Sequence, residues 1–120
     1  MKSDDFLALK NWAVAGDVLN PDKFAHKIAH KLKSRGYHVA PVHPDGGEGV
    51  YTDLASLPSK PEVLCLVINP RVGEQYLEQA AAQGITRVWL QPGADTDAIL
   101  SRSRALGLEI VQACVLVKLQ

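Results

Sequence analysis

Apolar and polar positions along the chain repeat one unit three times: a stretch with helical spacing, a glycine, then a short apolar run. The helical stretches span 21–35, 70–83 and 96–106, and the glycines that follow are Gly36, Gly84 and Gly107. Glycine at that place accepts the left-handed backbone that closes a helix's last turn. In the first stretch Phe24, Ile28 and Leu32 fall at i, i+4 and i+8. In the second, Val72, Tyr76 and Ala80 do the same, with Leu77 and Ala81 widening the stripe. Ile99, Leu100, Ser103 and Leu106 form a weaker face in the third. One-sided helices of this kind lie on a sheet.

The apolar runs at 12–15, 37–42, 63–68, 87–90 and 108–111 lack clean alternation, which suits strands covered on both faces. Strands alternating with helices imply parallel pairing through right-handed crossovers. The expected fold is therefore α/β, a three-layer Rossmann-like sandwich with a mostly parallel sheet of five to six strands. Residues 1–120 are expected to form it as a single domain. Residues 1–10 are expected to add a short helix with Ser3 as its N-cap, and residues 114–119 a last strand.

In an open parallel sheet, ligands bind beyond the carboxyl ends of the strands, where strand order reverses. The turns to inspect are 16–20, 43–49, 69–71, 91–95 and 112–114. The first is the most informative. Gly16 ends a strand, Asp17, Val18 and Leu19 follow, and Asn20 and Pro21 suit the N-cap and first position of a helix. Gly16 lets backbone approach a ligand, and the helix's free N–H groups favour a phosphate. Lys23 adds a full charge in that first turn, or is simply solvated. A dinucleotide fingerprint needs three glycines and an acid after the second strand. Here Gly16 stands alone and the second strand runs into His43 and Pro44, so NAD is disfavoured. No P-loop motif occurs.

Composition narrows the classes further. The chain has 120 residues, 47% hydrophobic and 22% charged, with formal net charge zero. That is a globular composition, without the basic excess of a general nucleic-acid binder. No stretch is long enough to span a bilayer and residues 1–10 lack the apolar run of a signal peptide, so a cytoplasmic location is expected. Cys65 and Cys114 sit in apolar runs and are expected to be reduced core residues, with no zinc spacing between them. His26, His30, His38 and His43 have no nucleophile that the sequence places beside them, so no catalytic residue and no metal ligand is assigned. The first helix carries Lys23, Lys27, Lys31, Lys33 and Arg35 with His26 and His30 on its outer face, either solvated or facing a partner.

At these turns the chain resembles the small stand-alone CoA-binding proteins, whose Rossmann-like unit also occurs in the α subunit of succinyl-CoA synthetase. The resemblance spans about residues 11–118. It is carried by Trp12 to Gly16 followed by Asn20 and Pro21, and by the run from Gly36 to Pro44. Val50, Tyr51, Leu54 to Pro58, and Trp89 to Gly93 continue it, and Cys114 before a short apolar run also fits. It implies that Gly16 and Asp17 approach the phosphates of coenzyme A and that His43 and Pro44 flank its nucleotide end. It further implies that Ile68, Asn69 and Pro70 touch the adenine or pantetheine side, while Leu90 and Gln91 line the far wall. Three features depart from the family pattern. Val18 stands where a hydroxyl is common, Asp45 where a basic residue is common, and the loop 45–50 is shortened. Lys23, Arg71 or His43 are the residues available to replace those contacts.

The expected function is thus non-catalytic binding of coenzyme A or an acyl-CoA, through the loop after the first strand and the helix N-terminus behind it. The alternative is a protein that keeps the fold without the ligand and binds a protein partner or a second copy. A third possibility is a small enzyme using Cys114 for acyl-CoA or thiol chemistry.

Overall fold

A computed structural model describes residues 3–120. Met1 and Lys2, part of the stretch expected to hold the first helix, lie outside the described residues. Five strands, β1 (Asn11–Gly16), β2 (His38–Val42), β3 (Val63–Val67), β4 (Arg87–Leu90) and β5 (Glu109–Gln112), pair in parallel in the order β2-β1-β3-β4-β5. Helices α1 (Ser3–Leu7), α2 (Phe24–Ser34), α3 (Pro70–Ala82), α4 (Asp97–Ala105) and α5 (Val115–Lys118) complete the described elements. Ser3 is the first residue of α1 rather than the residue before it.

The sheet has two differently built faces. Alternate side chains of β1 send Trp12 and Val14 to one and Ala13 and Ala15 to the other. On the first face, Trp12 and Trp89 pack under α1, α2 and α5 with Phe6, Ile28, Leu32 and Val115. The rings of Trp12 and Trp89 lie 5.5 Å apart, and Trp12 Nε1 donates to the Leu9 carbonyl at 2.7 Å, so the buried indole keeps its hydrogen bond. On the second face, aliphatic residues including Leu64, Leu66, Leu77 and Ile99 pack under α3 and α4. The connection from β2 to β3 carries no helix, and Tyr51, Leu54 and Leu57 from it cover part of that second face.

All three glycine stops lie at positive φ: Gly36 at 86°, Gly84 at 75° and Gly107 at 72°. Behind each, the next residue's N–H reaches back five residues, Tyr37 to Leu32, Ile85 to Ala80 and Leu108 to Ser103, at 2.9 to 3.0 Å. That bond satisfies a carbonyl the helix end leaves open and aims the chain into the next strand.

Two expectations are corrected. Helix α2 begins at Phe24, not at residue 21. Asn20 does not cap it: Asn20 Oδ1 accepts from Asp22 N at 3.0 Å and the Asn20 carbonyl from Lys23 N at 3.0 Å, so residues 20–23 close a turn of their own with Pro21 inside it. Within 114–119 the chain forms helix α5 (Val115–Lys118) rather than a sixth strand, leaving a sheet of five. The tail is captured by side chains before it can extend. Trp89 Nε1 donates to the Ala113 carbonyl at 2.8 Å, and Val115 N donates to Gln91 Oε1 at 2.7 Å. These bonds turn the tail onto the tryptophan-rich face, where Val115 is fully buried.

Candidate functional site

The chain passes from β1 to β2 on one side and then to β3 on the other, so strand order reverses between β1 and β3. Open α/β sheets bind ligands just outside this point. A cleft of about 330 Å³ opens there. Asp17 comes from the loop after β1, Lys23, Phe24 and Ala25 from the start of α2, and Val67 to Pro70 from the end of β3 and the start of α3. The turn 91–94 after β4 closes the far side.

Gly16 makes this convergence possible. A Cβ on it would stand 2.4 Å from the Val67 carbonyl oxygen and 2.7 Å from the Ala25 Cβ. Only a residue without a side chain lets the start of α2 close against the end of β3. Gly16 is thus explained by packing of protein on protein, and it does not itself line the cleft.

The start of α2 is the polar centre of the cleft. Lys23 occupies the N-cap with extended backbone and gives no side-chain cap. Lys27 N bonds to the Lys23 carbonyl at 3.3 Å, but the N–H groups of Phe24, Ala25 and His26 have no partner among the described residues. The start of the helix, with its open donors and positive end, therefore meets the cleft at Phe24 and Ala25, beside the Lys23 side chain. The helices on the other face differ. Asn69 Oδ1 accepts from Arg71 N at 2.9 Å and Thr96 Oγ1 from Ile99 N at 3.3 Å, so α3 and α4 cap themselves.

Gln91 forms the floor at the β4 end. It is 5% exposed, and its Oε1 accepts from both Trp89 Nε1 at 3.3 Å and Val115 N at 2.7 Å. Beside it Cys114 joins Phe24, Val67, Gln91 and Pro92 around an adjoining space of about 130 Å³. Burial opposes ionisation of Cys114, yet hydrogen bonds from the Gln91 side chain and the N–H groups of Val117 and Leu116 hold its thiol below the ordinary range. Cys65, wholly buried in β3, is pushed far up by burial. The rim turn is pinned by Asp95, which accepts from Gly93 N at 3.0 Å and Gln112 Nε2 at 3.1 Å. The Gln112 bond, against opposing burial and with the Gly93 bond added, lowers its carboxyl.

Of the residues singled out from sequence, Asp17, Lys23, Ile68, Asn69, Pro70 and Gln91 line the main cleft. Val18 and His43 line a smaller pocket of about 200 Å³ that shares Asp17 with it. Val18 also packs into the core, 7% exposed. His43 Nδ1 accepts from Asp45 N at 3.1 Å. Asn20, Pro44, Arg71 and Leu90 line neither space: Asn20 is tied up in its turn, Pro44 and Arg71 are exposed, and Leu90 is fully buried under α3 and α4.

Sequence reasoning missed Phe24, Ala25, Val67 and the rim residues Pro92, Gly93 and Ala94. Phe24 was expected in the core stripe of its helix, yet it is 62% exposed at the cleft mouth. Side chains lean toward the N-terminus of their helix, so an apolar residue in the first position overhangs whatever lies in front of it. The one sequence signal for the rim was the turn at 91–95. Among the described residues no three His, Cys, Asp or Glu side chains group to hold a metal ion, and no helix is long and apolar enough to cross a membrane.

Comparison with known proteins bears on the family and the fold. The family model described as "CoA binding domain" matches residues 10–120. A hypothetical protein from Pyrococcus horikoshii OT3 superposes with a TM-score of 0.86 at 27% identity, covering 98% of this chain and 89% of its own. A conserved hypothetical protein from Pyrococcus furiosus gives 0.81 at 32% identity, covering 91% and 98%. An acetyl-coenzyme A synthetase from Ca. Korarchaeum cryptofilum shares the fold at 18% identity and a TM-score of 0.69. The match covers 85% of this chain and 25% of that one.

Proposed function

The chain belongs to the CoA binding domain family, and from that premise we propose that it holds coenzyme A or an acyl-CoA in the cleft at the start of α2 and does no chemistry on it. The observation that carries this is the bare entry to α2: the N–H groups of Phe24, Ala25 and His26, unpartnered among the described residues, with Lys23 beside them at the cleft. Phosphate is the ligand chemistry that such a place favours. The pyrophosphate sits on these donors. The nucleotide end runs past Asp17 toward Val18 and His43, where the carboxylate of Asp17 suits a ribose hydroxyl better than a phosphate. The pantetheine arm runs over Ile68, Asn69 and Pro70 toward Gln91 and the space beside Cys114.

Absence of catalysis is supported by the surroundings of Cys114. Its hydrogen bonds come from an amide and from backbone, and no base is among them. A lowered pKa can also activate a thiol, so Cys114→Ser checks this part of the reading: acyl-CoA turnover by wild type that the serine variant loses would overturn it. The test is thermal unfolding with coenzyme A, dephospho-CoA, NAD and NADP. Ligand at a hundred times its dissociation constant adds about 2.7 kcal/mol. Coenzyme A should raise Tm and slow alkylation of Cys114, and the nicotinamide nucleotides should do neither. No shift at millimolar coenzyme A would sink the proposal.

A further inference from the structure

Between residues 23 and 35 the chain places five cations, Lys23, Lys27, Lys31, Lys33 and Arg35, and no carboxylate, although its formal net charge is zero. Among the described residues the ion pair between permanently charged side chains is Arg102 with Glu78, so none of the α2 lysines is neutralised. Arg35 is used within the fold, donating to the carbonyls of Leu119 and Gln120. The lysines are not, apart from Lys27 lying 5.7 Å from the Phe24 ring.

This arrangement works against the helix that carries it. Lys23, Lys27 and Lys31 follow one another at i, i+4 and i+8, and like charges at that spacing each cost a few tenths of a kcal/mol, about the gain of an opposite pair. A merely solvated face gains from mixing signs. Glu78 of α3, held by Arg102 of α4, shows that pattern on the other side of the sheet. On α2 the charge is unmixed beside a shaped surface. A groove of about 460 Å³ runs between α2 and α5, rimmed by Lys27, Lys31 and Ser34 and floored in part by half-buried Leu116. Val117 next to Leu116 is 62% exposed.

We infer that this face of α2 docks an acidic protein segment, with carboxylates on Lys27 and Lys31 and an apolar side chain in the groove against Leu116. A nucleic acid fits less well. The helix is 11 residues long, about 16 Å. Asp22 stands beside Pro21 at one end of the groove, and Glu48 lines the space of about 360 Å³ on the far side of His26 and His30. A phosphate backbone, charged at every nucleotide, would meet both, whereas a segment of mixed carboxylate and apolar side chains can keep its charges to Lys27 and Lys31.

The test uses the whole chain and a labelled short peptide of alternating Glu and Leu, read by fluorescence anisotropy at low and physiological salt. Wild type should bind, more weakly as salt rises. The double variant Lys27→Glu, Lys31→Glu should lose about tenfold or more in affinity, two exposed attractions having become repulsions. A Lys and Leu peptide should bind that variant better than wild type. Thermal unfolding keeps the outcome interpretable: glutamate four residues after Lys23 relieves repulsion, Lys31→Glu in the last turn opposes the helix dipole by a similar amount, and the variant should melt close to wild type. Its melting shift with coenzyme A should persist, since neither residue lines the cleft. Equal binding of the Glu and Leu peptide by wild type and variant would overturn the inference. So would an oligonucleotide that displaces the peptide at lower concentration.

Discussion

The three longest helices, α2, α3 and α4, start at the carboxyl edge of the sheet and treat their own open N–H groups in two ways. Helix α3 starts behind Asn69 and α4 behind Thr96, each side chain accepting one of the donors in the first turn. Pro70 removes one donor from α3 altogether. Helix α2 starts behind Lys23, whose side chain accepts nothing and adds positive charge where the helix dipole is already positive. A good cap in that position is worth about 1 kcal/mol. Both omissions turn favourable once an anion arrives. The capped helices are built for the free protein, and α2 for the bound one.

The largest test is whether α2 can be moved. Gly16→Val should cost about 3 kcal/mol, the upper end for overpacking, because the nearest obstacle is the backbone carbonyl of Val67 rather than a side chain that can swing away. Melting should fall by on the order of 10 °C. A valine that left both stability and coenzyme A binding intact would mean that the approach of α2 to β3 does not shape the cleft.

Next comes an exchange of roles. Lys23→Asp supplies α2 with the cap that α3 and α4 have. The free protein should gain about 1 kcal/mol. Affinity for coenzyme A should fall by about tenfold to a hundredfold, the loss of one charge-assisted contact. Lys23→Ser separates the two causes, because it caps without repelling. If either variant became less stable and kept its affinity, the contrast between the helix starts would have no functional content.

Alanine at the three cap positions gives a smaller reading of the same contrast. Thr96→Ala and Asn69→Ala should each cost about 1 kcal/mol in chemical denaturation. Lys23→Ala should cost close to nothing, since no cap bond is lost. Equal losses at all three would show that Lys23 supports α2 in a way its geometry does not reveal.

How much of this was legible beforehand follows from which interactions are local. The glycine stops depend on a residue's own backbone preference and a bond five residues back, so Gly36, Gly84 and Gly107 could be found from spacing alone. The caps at Asn69 and Thr96 rest on equally local bonds, yet Thr96 was expected inside its helix and Asn69 only as a ligand contact. The start of α2 could not be found from spacing. Asn20 and Pro21 suit both a cap and a turn, and only the competing bonds from Asp22 and Lys23 decide between them. Helix α5 was illegible for a different reason: its direction is set by Trp89 and Gln91, more than twenty residues earlier in the chain. Gln91 was picked as a wall of the site, and its second task of holding the tail appears only once β4 and the tail are side by side. Phe24, Ala25 and Val67 reach the cleft through packing around Gly16, which no spacing in the sequence encodes.

The smallest effect concerns acid. The entry to α4 is held by Asp95 as well as Thr96, since the Asp95 carboxylate takes hydrogen bonds from Gln112 and Gly93. These bonds lower its pKa in the folded chain. A carboxyl with a depressed folded pKa contributes stability above its unfolded pKa and loses it as pH falls through the folded one. Wild type should therefore be slightly more stable than Asp95→Asn near neutrality, and the two should converge in strong acid, below the ordinary aspartate range. The side chain is largely solvated, so solvent keeps the gap small. The bare start of α2 holds no equivalent carboxylate bond, and coenzyme A bound there should protect the α2 entry in hydrogen exchange without altering that convergence. If adding coenzyme A instead shifted the pH at which the two proteins meet, the α4 turn and the α2 start would be one linked unit, and the division drawn between them would have to be abandoned.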